Sequence, residues 1–369
     1  MLRRFEQDRK RGSSMNQRLR VGIVGADAKG QGWAPLAHFP ALRALPEFEI
    51  AALCTTREET ARAAAERYGV PRAYHDYREM FASPDIDLVS CVVRAPNHHE
   101  VVMAALRAGK PVYCEWPLGV TTAQAEEMAS LAREMGLPTA IGLQARCDPT
   151  LRYTRDLVAQ GYVGGVLAVT MAMISQGVPE RSKSKAWEAK LAGGVSALTI
   201  RGMHSIDPMC MCVGELVELS GRVSTQIRQW KITDTGETID VEVPDNVMVH
   251  GVASSGAVVS AHIGTMPGAV PGFRMEIYGT EGTLVVTTPG APQRDANRLS
   301  GAKGKAAIAA MEVPASYVEV PADTPAGPPH NVAALYRRLG KAVREGGSVE
   351  PDFAHAVKRH RSIDAIATP

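Results

Sequence analysis

Three glycines, Gly25, Gly30 and Gly32, stand between the apolar run LRVGIVG and the helically spaced stretch WAPLAHFPALRAL. At a strand-to-helix turn, glycines let a pyrophosphate approach backbone N–H groups that a side chain would block. The spacing is not G-x-G-x-x-G. The turn, with Ala26 and Trp33 beside its glycines, is therefore read from its place after a first strand, and an ordinary glycine-rich loop is the competing reading. The second apolar run, FEIAALC, ends at Thr55, Thr56 and Arg57. A carboxylate at that tip would bind the ribose 2′-hydroxyl of NAD, whereas hydroxyls and a guanidinium suit a 2′-phosphate. NADP is expected over NAD, with Arg57 also readable as a solvated charge of a first helical turn.

Moving a hydride from an alcohol carbon to such a cofactor requires loss of the hydroxyl proton. His204, in TIRGMHSID, is the candidate base, because an imidazole titrates near pH 6.5 (about) and general-base help contributes about 10²- to 10⁴-fold. If it opens a helix, Asp207 shares its face and is placed to orient the ring. A hydrogen-bonded structural histidine is the other reading of the same spacing.

These residues need elements to position them. From Leu19 short apolar runs alternate with helically spaced stretches as far as PTAIGLQ. That alternation predicts right-handed crossovers and an α/β doubly wound parallel sheet, a Rossmann domain over residues 19–148. From 149 to 330 longer runs with period-two alternation predict an α+β domain with an open, mostly antiparallel sheet, interrupted by a helix over 202–213. The Gly/Pro/Ala-rich stretch 289–329 reads as loop, and 331–369 as closing helices. The polar, basic opening MLRRFEQDRKRGSSMNQ reads as a disordered tail over 1–18.

Composition narrows the partners. The chain has 369 residues, 45% of them hydrophobic, which suits two cores. Lys+Arg 41 against Asp+Glu 39 leaves a net charge of +2, too small a field to hold nucleic acid or an anionic membrane. The 6 cysteines form no C-x-x-C pair and read as buried thiols of a cytoplasmic protein. No apolar run reaches the roughly 18 residues of a membrane span. No Ser/His/Asp order suggests a hydrolase, and His98 with His99 is not by itself a metal site, so no metal is expected.

GIVG, APNHHEVVMAALRAGKPVYCEWPLG and FRMEIYGTEGTL, in that order, resemble the glucose-fructose oxidoreductase and inositol dehydrogenase family (Gfo/Idh/MocA). GWAPLAHFPAL, EWPL, LVAQGYVG, LTIRGMHSID and VPDNVMVHG resemble more closely its branch containing the fungal galactose-regulon repressor, an NADP-binding regulator. The resemblance implies the two-domain fold, a homodimer or homotetramer formed through the open sheet, and a sugar-like or cyclic polyol substrate. It also implies roles. Pro96, Asn97 and His99 would border the nicotinamide half of the cofactor, Glu115 would hold its ribose, and Arg146, Lys185 and Trp187 would line the substrate pocket, with Arg146 placed to clamp a substrate oxygen. His99 reads equally well as an ordinary helix N-terminal residue, and Lys185 as a solvated loop charge.

Two departures stand out. Family dehydrogenases carry Glu-Lys-Pro where this chain has Glu115-Trp116-Pro117. Trp116 has no charged donor, but it can bind the cofactor by stacking on the nicotinamide, stack on a sugar face, or offer one indole N–H. The family's aspartate four residues before the histidine is here Ile200. The expected function is an NAD(P)-dependent oxidoreductase of a small polar substrate, with His204 moving the proton, Asp207 orienting it and Trp116 shaping the site. The alternative is a non-catalytic NADP-binding regulator acting through a protein partner. A third reading is an enzyme that uses a tightly held cofactor only transiently.

Overall fold

The computed structural model describes residues 17–26, 28–30, 32–177 and 179–368. Residues 1–16 of the expected tail lie outside the described residues.

Strands β1 (Leu19–Val24), β2 (Phe48–Cys54), β3 (Arg72–Tyr74), β4 (Leu88–Cys91), β5 (Val112–Cys114) and β6 (Thr139–Ile141) form one parallel sheet in the order β3-β2-β1-β4-β5-β6. Helices α1 (Phe39–Ala44), α2 (Glu58–Tyr68), α3 (Tyr77–Ala82), α4 (His98–Arg107) and α5 (Thr122–Met135) make the successive crossovers. The order reverses between β1 and β4, which leaves a crevice at the carboxyl ends of those strands. Local sequence accounts for the elements. β1 and β4 are mainly apolar and buried on both faces, interrupted by Arg20, which is only partly buried and paired with Asp85 and Asp87, and by Ser90, which bonds to Tyr336. The alanines of α2 give it a flat buried face of Ala61, Ala64 and Ala65, and left-handed Gly69 ends it. Thr121 caps α5 by accepting from the Gln124 N–H, and Gly136 ends that helix in the same way.

Helix α6 (Pro149–Ala159), capped by Asp148 and started by Pro149, leads into the second sheet. β7 (Val166–Gln176) is followed by β8 (Glu180–Arg181), helix α7 (Met203–Val213), β9 (Leu216–Ser224), β10 (Gln229–Ile232) and β11 (Thr238–Asp240). Next come β12 (Asn246–Ala253), β13 (Val258–Met266), β14 (Gly272–Gly279), β15 (Gly282–Thr288), β16 (Arg298–Lys303) and β17 (Ala309–Met311). Eight of these strands form a sheet in the order β17-β16-β15-β14-β7-β13-β12-β9, antiparallel except for the central β7–β13 pair. A small sheet, β11-β10-β8, stands beside it. Period two is plain in the register, where buried Met171 lies between Ala261 and Met275. Ile206, Met209 and Val213 of α7 belong to the same buried cluster.

One expectation changes here. The stretch 289–329 is not all loop, because β16 and β17 extend the sheet from the edge offered by β15. Its glycines and alanines carry little strand signal, and pairing supplies what propensity lacks.

The closing helices, α8 (Pro328–Glu345) and α9 (Phe353–Ala367), return to the first sheet. Val332, Leu335 and Tyr336 of α8 share a buried cluster with Val21, Ile23 and Phe39. Helix α9 packs against both α5 and β9, so it braces the two sheets.

Candidate active site

The turn after β1 has the backbone that its glycines predict. Gly25 lies at φ +101°, donates to the Cys54 carbonyl at 3.0 Å, and would place a Cβ 2.3 Å from the Val92 oxygen. Gly32 lies at φ +108° with nothing within 4 Å of a Cβ position, and Gly30 at φ +77°. Ala26 is buried beside them. The Trp33 indole N–H is buried without a partner, and the Arg294 guanidinium sits 5.5 Å from its ring centroid. Of the three glycines only Gly32 is open, since a Cβ at Gly30 would crowd the Arg67 guanidinium and one at Gly25 the Val92 oxygen. The bare backbone at Gly32, with an unpartnered indole N–H and the Arg294 cation nearby, fits a dinucleotide pyrophosphate.

At the tip of β2, the Thr55 hydroxyl bonds to the Arg57 carbonyl and to the Thr60 hydroxyl at 2.6 Å, so it is engaged within its own loop. Thr56 and Arg57 are exposed, and Arg57 makes no side-chain hydrogen bond or ion pair among the described residues. Past β4, Pro96 and Asn97 are exposed on a 3₁₀ turn, Ala95–Asn97. His99 is turned away from this crevice, its Nε2 2.7 Å from Glu127 of α5. The histidine that turns inward is His98, with Nδ1 2.7 Å from the Pro117 carbonyl and Nε2 3.0 Å from that of Val93. Cys91, Cys114 and His98 lie close together, all buried, but both nitrogens of that ring already face carbonyls.

Glu115 sits at the end of β5 within a hydrogen-bond network. His38 Nε2 lies 3.0 Å from its Oε1, and Gln144 Nε2 lies 3.1 and 3.0 Å from its two oxygens. His38 Nδ1 is 2.7 Å from the Tyr336 hydroxyl, which is 2.7 Å from that of Ser90. Gly142 faces the carboxylate, where a Cβ would come within 2.6 Å of Oε2. The carboxylate expected to hold a ribose is thus already held by protein donors.

Trp116 has a different role from the expected one. It is 5% exposed, donates its indole N–H to the Thr199 carbonyl at 2.7 Å, and packs its ring against His360 at 4.9 Å. The N–H is no longer on offer to a ligand. In place of the family's lysine, the indole clasps the π-helical turn Ala197–Gly202 that feeds directly into α7.

His204 opens α7 and is buried, with Nδ1 unpartnered. Burial pushes its pKa down to about 4, against the opposing pull of Glu115 and Asp207. Asp207 does not orient it. Its Oδ1 is 2.5 Å from His355 Nε2 and its Oδ2 2.9 Å from Arg146 Nε, with Arg359 Nε at 3.7 Å. Burial pushes Asp207 up, but Arg146, His355 and Arg359 outweigh it and hold the carboxylate well below its usual range. Arg146, expected to clamp a substrate oxygen, is committed to Asp207 and, through Nη1, to Glu350 at 2.5 Å. The reason is burial: a fully enclosed carboxylate requires cations, and those nearest come from Arg146 and α9.

A cleft of about 910 Å³ opens on the second domain. Lys185, Ile200, Arg201, Gln293 and Arg294 are among its lining residues, and Arg146 is not. Trp187 lies under Arg94, at 5.2 Å, and Arg94 donates to the Ser184 carbonyl at 3.1 Å, so the segment Lys183–Ala189 is tied to the first domain. Sequence reasoning missed His38, Gln144, Arg201, His355 and His360. The first three stand within or beside motifs already singled out, WAPLAHFP, LQARCDP and TIRGMHSID. The last two lie on a closing helix whose sequence shows nothing of what it packs against.

The family model described as the oxidoreductase family with an NAD-binding Rossmann fold matches residues 19–143, and the model of the Gal80p C-terminal domain matches 149–288. The chain is 30% identical over 286 residues to the dehydrogenase aclE of Aspergillus oryzae, covering 74% of this chain and 78% of that one. It is 28% identical over 290 residues to the galactose/lactose metabolism regulatory protein GAL80 of Saccharomyces cerevisiae, covering 72% of this chain and 66% of the relative. A solved levoglucosan dehydrogenase, in complex with NADH and levoglucosan, superposes with a TM-score of 0.82 at 25% identity, covering 95% of this chain and 96% of that one.

Proposed function

The chain belongs to the Gfo/Idh/MocA family of NAD-binding oxidoreductases, on its Gal80-like branch, and from that premise we propose a nicotinamide-dependent dehydrogenase of sugar-like or cyclic polyol substrates. When bound, the cofactor supplies the hydride acceptor or donor. Gly25, Gly30, Gly32 and Trp33 would hold its pyrophosphate, and Pro96 and Asn97 would border its nicotinamide half. An NADP preference is supported by the exposed, uncommitted guanidinium of Arg57 at the tip of β2, where no carboxylate stands. In this division residues 19–148 hold the cofactor, 149–330 the substrate and the oligomer contact, and 331–369 brace the two.

The observation that carries the reading is His204. A buried imidazole pushed down to about 4 is neutral at pH 7, and its Nδ1 has no partner. The ring therefore rests in the form that can take a proton at that atom, and so low a pKa makes it a weak base for a hydroxyl. Ile200 leaves the ring without the carboxylate that relatives place one turn earlier. Trp116 and Asp207 act at a distance as positioning residues, the first by fixing the turn that carries His204 and the second by anchoring α7 to α9 and Arg146. Lys185 lines the cleft that a small polar substrate would enter.

A homodimer or homotetramer through the outer face of the eight-stranded sheet is supported by exposed Met248, Val258 and Tyr278 on its strands. The free, buried cysteines suit a cytoplasmic protein. No helix among the described residues is long and apolar enough to cross a membrane, and the small net charge gives no reason to expect a nucleic-acid partner. The second reading, a cofactor-sensing regulator, is favoured by the Trp116 clasp, which replaces the family's lysine with a structural contact.

Nicotinamide absorbance of the protein with NADP⁺ or NAD⁺, challenged with cyclic polyols and sugars, tests the choice. A redox change that His204→Gln lowers by about 10²- to 10⁴-fold is expected. Tight cofactor binding with no oxidation of any compound would favour the regulator.

A further inference from the structure

The cleft of the second domain carries a set of cations that a neutral polyol does not need. Arg181, Lys185, Arg201 and Arg294 line it, facing Glu188, Asp245 and Asp295. Two of those carboxylates already serve backbone. Asp245 accepts from the Gln226 N–H at 3.0 and 3.1 Å and from that of Ile227 at 2.6 Å, and Asp295 accepts from the Ala291 N–H at 2.8 Å.

Arg201 is the most informative of the cations. It lies in the turn Ala197–Gly202, is only partly exposed, and its side chain makes no hydrogen bond or ion pair among the described residues. A guanidinium carries five N–H donors, and withdrawing them from water without acceptors is costly. Its neighbours add to that cost: burial, with Arg181 and Arg294 nearby, pushes its pKa down, and Glu188 is the carboxylate that opposes them. Gln293 is an independent second observation. It is 8% exposed, lines the same cleft, and its Oε1 is buried without a partner.

We propose that the cleft takes a polyhydroxylated substrate bearing an oxyanion, the carboxylate of a sugar acid or a phosphate ester, with Arg201 on the oxyanion and Gln293 on a hydroxyl. The planar guanidinium matches such an oxyanion two N–H groups at a time. Arg201 precedes His204 by three residues in one continuous helical run, a rise of roughly 5 Å. His204 itself is buried and is not among the residues that line the cleft, so the shared helical run is what relates the two. The proposal rests on the dehydrogenase reading and names the class of its substrate.

The test uses the full chain saturated with cofactor and matched probes: D-glucose, D-glucuronate and D-glucose 6-phosphate, with the galactose series in parallel. Calorimetric binding and turnover are measured on wild type, Arg201→Gln and Arg201→Lys. In at least one series an anionic probe binds at least about ten times more tightly than the neutral sugar, and which anion wins separates carboxylate from phosphate. Arg201→Gln collapses that discrimination through Kd and KM, and Arg201→Lys restores part of it. Should Arg201→Gln not fold, the Lys variant and the weakening of anion binding by salt carry the same test. An anion bound through Arg201 without turnover supports the site and counts against the dehydrogenase reading. Neutral sugars oxidised while no anion binds better overturns the site and leaves the dehydrogenase reading intact. An Arg201→Gln loss that falls equally on cofactor Kd also overturns it, because the arginine would then serve the cofactor.

Discussion

Asp207 Oδ1 lies 2.5 Å from Nε2 of His355, a contact between α7 and α9 that takes the carboxylate away from His204. With Arg146 on the other oxygen, Asp207 becomes the centre of a buried ionic cluster. Removing the charge from such a centre leaves its cations uncompensated. Asp207→Asn is expected to lose about 3–5 kcal/mol of stability by urea unfolding. A loss of turnover without a loss of stability would instead return Asp207 to the role of orienting His204.

Acid sensitivity follows from two histidines. Burial pushes both His204 and His360 down to about 4, against Asp364 in the case of His360. Unfolded, each titrates near 6.5 (about), so between those values the unfolded chain binds more protons and stability falls as pH drops. Each group adds up to about 1.4 kcal/mol per pH unit across that window. Asp207 acts lower, where stability present above its unfolded value of about 3.9 is lost as pH falls further. Urea midpoints measured from pH 7 to pH 4 should decline less steeply in His360→Gln. An unchanged slope would mean that His360 titrates in the folded state as it does unfolded.

Trp116→Phe keeps a ring against His360 but leaves the Thr199 carbonyl without its donor. A buried acceptor left unsatisfied costs about 1–3 kcal/mol. Thermal unfolding should show this loss, with cofactor Kd unaltered. If cofactor affinity fell instead and stability held, the ring would belong to the cofactor site.

Two glycine variants separate fold from binding. Gly25→Ala sets a methyl against the Val92 carbonyl at a positive φ, and reduced stability and loss of cofactor are expected together. Gly32→Ala meets no neighbour, so its cost is backbone strain of about 1–2 kcal/mol, and its effect on cofactor Kd reads that bare backbone directly. Unchanged NADP⁺ affinity in Gly32→Ala, measured by fluorescence quenching, would place the pyrophosphate elsewhere.

The amino-acid sequence by itself determined the alternating strands and helices of the first domain, the period-two strands of the second, and the glycine turn between β1 and α1. Each is a local property, since periodicity selects the element and a positive φ selects glycine. It also determined which residues differ from the family pattern, Trp116 and Ile200 among them. Tertiary structure decided what those residues touch. Asp207 sits one turn from His204 but bonds to residues 61 and 148 positions away, and Trp116 bonds to a carbonyl 83 positions away. Of two adjacent histidines, His98 turned into the core and His99 onto Glu127. Spacing along a helix gives a side chain its face, but a buried charge takes the partner that desolvation makes necessary, and only the packed chain settles which partner is within reach.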